Sequence, residues 1–149
     1  MNLNMTNDQY INSYKKTQQS TNAVTSSHET VKTLMKELRN SMQKIVLDIQ
    51  DERKRKQDHS KIDKVFEEKN ARHRSKNLSK SLSIIYGLQT SLDFDKALEI
   101  ANNLFQLYEY CRHEIIKGFS QKIEDGIVKA IDVIKQILEG WEVLPSLEK

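Results

Sequence analysis

The chain has 149 residues, with 24 Lys/Arg against 21 Asp/Glu, 37% hydrophobic residues and 30% charged ones. That length suits one domain with a real core and is short for two, and one Pro with four Gly points to an all-α chain. The single cysteine excludes an intramolecular disulfide; with no basic-then-apolar leader and no apolar run of about 18 residues, the expectation is a cytoplasmic protein without membrane insertion.

Residues 1–25 are rich in Asn, Gln, Ser and Thr and lack aliphatic periodicity, which predicts a flexible N-terminal arm with Tyr10, Ile11 and Tyr14 as its apolar points. A helix then begins at Ser26, where Glu29 stands three residues on in capping-box spacing. Its stripe is Val31, Leu34, Leu38, Met42, Ile45 and Ile49, and it ends in the charged run 50–57. A second helix is expected from Ser60–Asp63, with a polar middle, Glu67 to Asn77, projecting past the core before packing resumes at Leu78, Leu82 and Ile85. Asp93 or Asp95 opens the third helix, which should run to Lys117 and stop at a left-handed Gly118. The fourth starts near Ser120 and repeats Ile127, Ile131, Ile134, Leu138 and Trp141, with Ala130, Val133 and Ile137 on the adjoining side, until Pro145. Four amphipathic helices on short joints make an antiparallel up-and-down four-helix bundle over residues 26–145, followed by a tail at 146–149.

The third helix carries more apolar surface than one core face needs. Ala97, Ala101, Leu104, Tyr108, Cys111 and Ile115 form one stripe, and Leu98, Phe105, Ile116 and Phe119 form a second beside it. A helix apolar on two sides is buried on both or keeps one for a partner. From spacing alone Tyr108 and Tyr110 are as well read as core aromatics.

No constellation supports an enzyme. His28, His59, His73 and His113 are scattered, Cys111 and His113 point to different faces of one helix, and phosphate loops, nucleophile elbows and metalloprotease motifs are absent from the sequence. No cofactor and no metal is implied. Residues 51–81 hold 11 Lys/Arg against 6 Asp/Glu, and residues 82–149 hold 7 against 11, so the basic character is local. The Arg53-Lys54-Arg55-Lys56 run is interleaved with acids and has no aromatic platform for bases, which favours a solvated surface over a nucleic-acid site. Two rival classes remain open: a nucleic-acid-binding bundle using 53–76, and a self-association module using the second apolar stripe.

Asn103-Leu104 followed by Leu107-Tyr108 and Tyr110, with Leu92-Asp93 upstream and Trp141 closing the last helix, resembles the flagellin-specific export chaperone family. Tyr10, Tyr14, Asn22-Ala23-Val24 and the Ser26–Glu29 helix start resemble that family's opening, and the likeness runs from Tyr10 to Trp141. The resemblance implies a cytoplasmic chaperone, monomeric or weakly dimeric. It would bind the C-terminal segment of flagellin, prevent premature polymerisation and assist delivery to the flagellar type III export apparatus, with a component of the export gate as a second partner. The expected partner-binding residues are Tyr10 and Tyr14 from the arm and Leu82, Leu104, Leu107, Tyr108, Ile131 and Ile134 from helices 2, 3 and 4. The same six bundle residues fill the core if the stripes turn the other way.

Overall fold

The apolar repeats dictate four helices, and a computed structural model that describes residues 27–58 and 64–143 contains them. They are α1 (Ser27–Gln57), α2 (Lys64–Thr90), α3 (Leu98–Gln121) and α4 (Asp125–Val143). Among the described residues there is no strand, and no helix is long and apolar enough to cross a membrane.

Each helix packs on its two neighbours in a closed ring, α1 on α2, α2 on α3, α3 on α4 and α4 on α1. The pairings run in opposite directions. Glu37 pairs with Lys80 and the later Asp48 with the earlier His73, while Cys111 faces Ala130 and Gly118 faces Ile127. The start of α1 meets the end of α4, where Trp141 Nε1–H donates to the His28 carbonyl at 3.0 Å and His28 Nε2 donates to the Trp141 carbonyl at 2.7 Å. Their rings stack 5.0 Å apart. The result is the antiparallel up-and-down bundle that the spacing predicts.

Every helix supplies one stripe to a single core. Leu38, Met42 and Ile45 come from α1, Ile85 and Leu88 from α2, Tyr108, Cys111 and Ile115 from α3, and Ile127, Ile134 and Leu138 from α4. Each large aliphatic side chain taken fully from water contributes about 1.5–3 kcal/mol, which is why the stripes close on one another. Trp141 is half-buried against this core, at its rim.

Three expectations are corrected. The polar middle of α2 does not project: Asn70, Arg74 and Asn77 are buried, because Asn70 donates to the Asp48 carbonyl at 3.3 Å and Arg74 pairs with Glu52 of α1. Polar groups enter an interior when their hydrogen bonds are met there. What extends past α4 is the end of α1 and the start of α2, since Arg53 already pairs with Glu124 just before α4, and Val65 in the first turn of α2 is 72% exposed. The second correction is Gly118, which lies inside α3; the left-handed residue is Lys122, at φ 55 and ψ 44. The Ile123 N–H reaches back to the Gly118 carbonyl at 3.1 Å, the long bond of a Schellman stop. Third, α3 and α4 begin at Leu98 and Asp125 rather than at Asp93 or Asp95 and near Ser120; Asp93 Oδ1 instead accepts the N–H groups of Asp95 and Lys96 in the turn before α3. The expected Ser26 cap, the Ser60 start, Pro145, the arm and the tail lie outside the described residues.

Candidate partner-binding groove

The seam between α3 and α4 is tightest beside Gly118. A Cβ on Gly118 would stand 2.6 Å from Ile127 Cδ1 and 2.7 Å from the Ile123 carbonyl oxygen, so the two helices touch there only because residue 118 has no side chain. Towards the middle the helices carry full side chains on the flank outside the core stripe. Leu107 and Tyr110, each 38% exposed, face Lys129 and Val133 of α4, with Val128 and Asp132 on the outer edge. This apolar stretch continues into a more polar one, bordered by Tyr110, Glu114, Lys117, Gln121, Asp125 and Lys129, with Gly118, Ile123 and Gly126 at its base. Tyr110 and Lys129 border both halves, so the groove is continuous along α3 and changes character at that pair.

The α2–α3 seam is tied down instead. Gln89 Nε2–H donates to Glu109 Oε1 at 2.9 Å and to the Phe105 carbonyl at 3.4 Å, and Arg112 Nε–H donates to the same Glu109 oxygen at 3.1 Å. The Gln89 bond and then the Arg112 bond hold the Glu109 carboxyl below the usual carboxylate range. Of the second apolar stripe, Phe105 and Phe119 are half-buried while Leu98 and Ile116 reach the surface.

The residues expected at a partner surface divide accordingly. Leu107 lines the groove, and Leu104 is half-buried one turn before it, packed against the core. Leu82 is half-buried on α2 and is not part of the groove lining. Tyr108, Ile131 and Ile134 are core side chains, with Tyr108 only 1% exposed, because they sit on the centre lines of the stripes that must meet to close the bundle. Tyr10 and Tyr14 lie outside the described residues. Tyr110, Val133 and Lys129 were missing from the expected set. Their signal was present: Tyr110 stands three residues after Leu107 off the core stripe, and Val133 belongs to the adjoining side of the fourth helix.

The groove lining contains neither Cys nor His. Burial pushes the Cys111 thiol up to about 12, and its Sγ–H points at the Ala130 carbonyl at 3.7 Å, so it behaves as a small core residue. Burial also raises the Tyr108 hydroxyl. Among the described residues no group of three His, Cys, Asp or Glu side chains could hold a metal. Three cations of the basic run are paired within the chain: Arg53 with Glu124, Arg55 with Asp51 at 3.5 Å and over the Phe66 ring at 3.9 Å, and Lys56 with Glu52 at 3.7 Å.

A family model described as flagellar protein FliS matches residues 10–147, which includes all four helices. The chain belongs to this family. Among FliS relatives, a Vibrio cholerae protein named flagellar secretion chaperone FliS is 28% identical over 72 residues, 48% of this chain and 53% of the relative. A Salmonella typhimurium protein of the same name is 33% identical over 66 residues, 44% of this chain and 49% of the relative. The chain thus spans about half the length of the curated FliS relatives it matches. No solved structure matches it.

Proposed function

We propose that this protein is a cytoplasmic flagellar secretion chaperone whose α3–α4 groove receives the C-terminal segment of flagellin. The observation that carries this reading is the exposed Leu107–Tyr110 edge facing Val133 on a helix whose core stripe is already satisfied, in a chain of the FliS family. A segment disordered when free offers amphipathic stretches that fold onto such a surface, with apolar burial set against the entropy of ordering. Occupying the segment blocks the contacts through which flagellin polymerises and keeps it unfolded enough for export. Tyr10 and Tyr14 of the N-terminal arm extend the partner surface, and Leu104 supports Leu107 from beneath. A component of the export gate takes over the loaded complex, and the chaperone works as a monomer or weak homodimer.

Co-purification with flagellin tests the reading. A soluble complex is expected with full-length flagellin and is lost when flagellin's C-terminal segment is removed; equal recovery of the truncated protein refutes it. The internal pairing of Arg53, Arg55 and Lys56 speaks against the nucleic-acid alternative, because those cations already face carboxylates.

A further inference from the structure

The corner between α3 and α4 is held from behind by two consecutive residues of α1. Glu52, 7% exposed, accepts hydrogen bonds from Lys122 Nζ at 3.0 Å and from Arg74 of α2, with Lys56 at 3.7 Å. The next residue, Arg53, pairs with Glu124, and Asp125 adds to the attraction. Apolar burial contributes little at the corner itself, since Ile123 is 48% exposed. Lys122 moreover stands in the left-handed region, a conformation that a residue with a Cβ adopts at a cost, and its ammonium group is what reaches Glu52.

The opposite face of this corner is part of the groove. Ile123, Asp125 and Gly126 line its polar half, together with Tyr110 and Lys129, which also border its apolar half. We propose that Glu52–Lys122 and Arg53–Glu124 form a charge clamp that fixes where this wall stands, making Glu52, Arg53, Lys122 and Glu124 positioning residues for the partner segment. This rests on the reading of the α3–α4 groove as the flagellin seat. A half-exposed pair such as Arg53–Glu124 adds little to global stability, yet two pairs from adjacent α1 residues restrict the place of residues 122–125, which lie between the buried Gly118 and Ile127 and bury no large apolar side chain themselves.

The test compares the wild-type chain with the double variant Arg53→Gln/Lys122→Asn, in which Asn tolerates the left-handed backbone and carries no charge. Hydrogen exchange across residues 119–128, the melting temperature and the affinity for full-length flagellin are read on each. Exchange in the corner is expected to speed up about tenfold and the affinity to fall about fivefold, with the melting temperature nearly unchanged. The conservative pair Arg53→Lys/Lys122→Arg is expected to restore both readouts. An unchanged corner, or a loosened corner with unchanged affinity, overturns the clamp while leaving the chaperone reading intact. A wild-type chain that forms no complex overturns the chaperone reading and, with it, the role given to the clamp.

Discussion

Leu107 and Tyr108 are neighbours in sequence with opposite fates, so truncating each in turn separates groove from core. Tyr108 is 1% exposed and sits among the core side chains of α1, α2 and α4. Its replacement by Ala removes a buried aromatic ring and leaves a cavity, which costs about 3–5 kcal/mol of folding stability. Leu107 keeps 38% of its surface in water. If full burial of a leucine contributes about 1.5–3 kcal/mol, the share still available to a partner is roughly 0.6–1.1 kcal/mol, or about a three- to sevenfold change in affinity. Leu107→Ala should therefore lower flagellin affinity by that factor while keeping most of the stability that Tyr108→Ala loses. Urea unfolding of the free variants, paired with titration calorimetry against flagellin under conditions where each is folded, measures both. If Leu107→Ala leaves affinity unchanged and destabilises the fold as much as Tyr108→Ala does, the groove assignment is wrong.

Gly118→Ala should destabilise the fold by about 1–2 kcal/mol despite the better helix propensity of Ala, because the Ile123 carbonyl, being backbone, cannot step aside; a higher melting temperature refutes the close-approach account. For Glu52, burial alone would raise the carboxyl, but the Lys122 and Arg74 hydrogen bonds outweigh it and lower it. A lowered folded pKa means that the stabilisation is fully present above the unfolded value and is lost as pH falls through the folded one, so acid unfolding of the wild type should be steeper below about pH 4 than that of Glu52→Gln; parallel curves would show that the carboxylate is not linked to folding. Ser81 Oγ is fully buried without a hydrogen-bond partner among the described residues. Ser81→Ala should thus be neutral or stabilising by up to about 1 kcal/mol in chemical denaturation, and a clear loss would reveal a partner for the hydroxyl.

The core was legible because it rests on local periodicity. Leu38, Met42 and Ile45 on α1, or Ile127, Ile131, Ile134 and Leu138 on α4, recur at three- and four-residue steps, and any bundle buries such a stripe. The middle of α2 was not legible, because Asn70 and Arg74 are buried through partners 22 residues away on α1, and composition only says that they are polar. Gly118 misled for a related reason: a glycine near a helix end serves a left-handed stop or a close approach equally well, and only the position of Ile127 decides between them. In the groove, Leu107 could be found from its place off the Ala101–Tyr108–Ile115 stripe. Tyr108, Ile131 and Ile134 could not be separated from it, since the direction in which a stripe faces depends on the neighbouring helices.

The division of polar and apolar contacts also bears on how the proposed chaperone would hold a client. On α3 the core stripe of Tyr108, Cys111 and Ile115 is fully used within the chain, so the bundle does not wait for a partner to complete its interior. The α1–α2 half is joined partly by buried polar pairs, Asn70 with Asp48 and Arg74 with Glu52, whose loss would leave unpaired groups in the interior; that half therefore has one arrangement. The α3–α4 half differs, with the Ile127 side chain and the Ile123 carbonyl close upon Gly118 and a side-chain-lined opening around Leu107 and Tyr110. A partner entering this opening meets a wall whose cost of ordering was already met on folding, and only the partner has entropy left to lose. If the α3–α4 groove is the client seat, affinity would depend on a few edge residues such as Leu107 and Tyr110, while the fold depends on the stripe one position away.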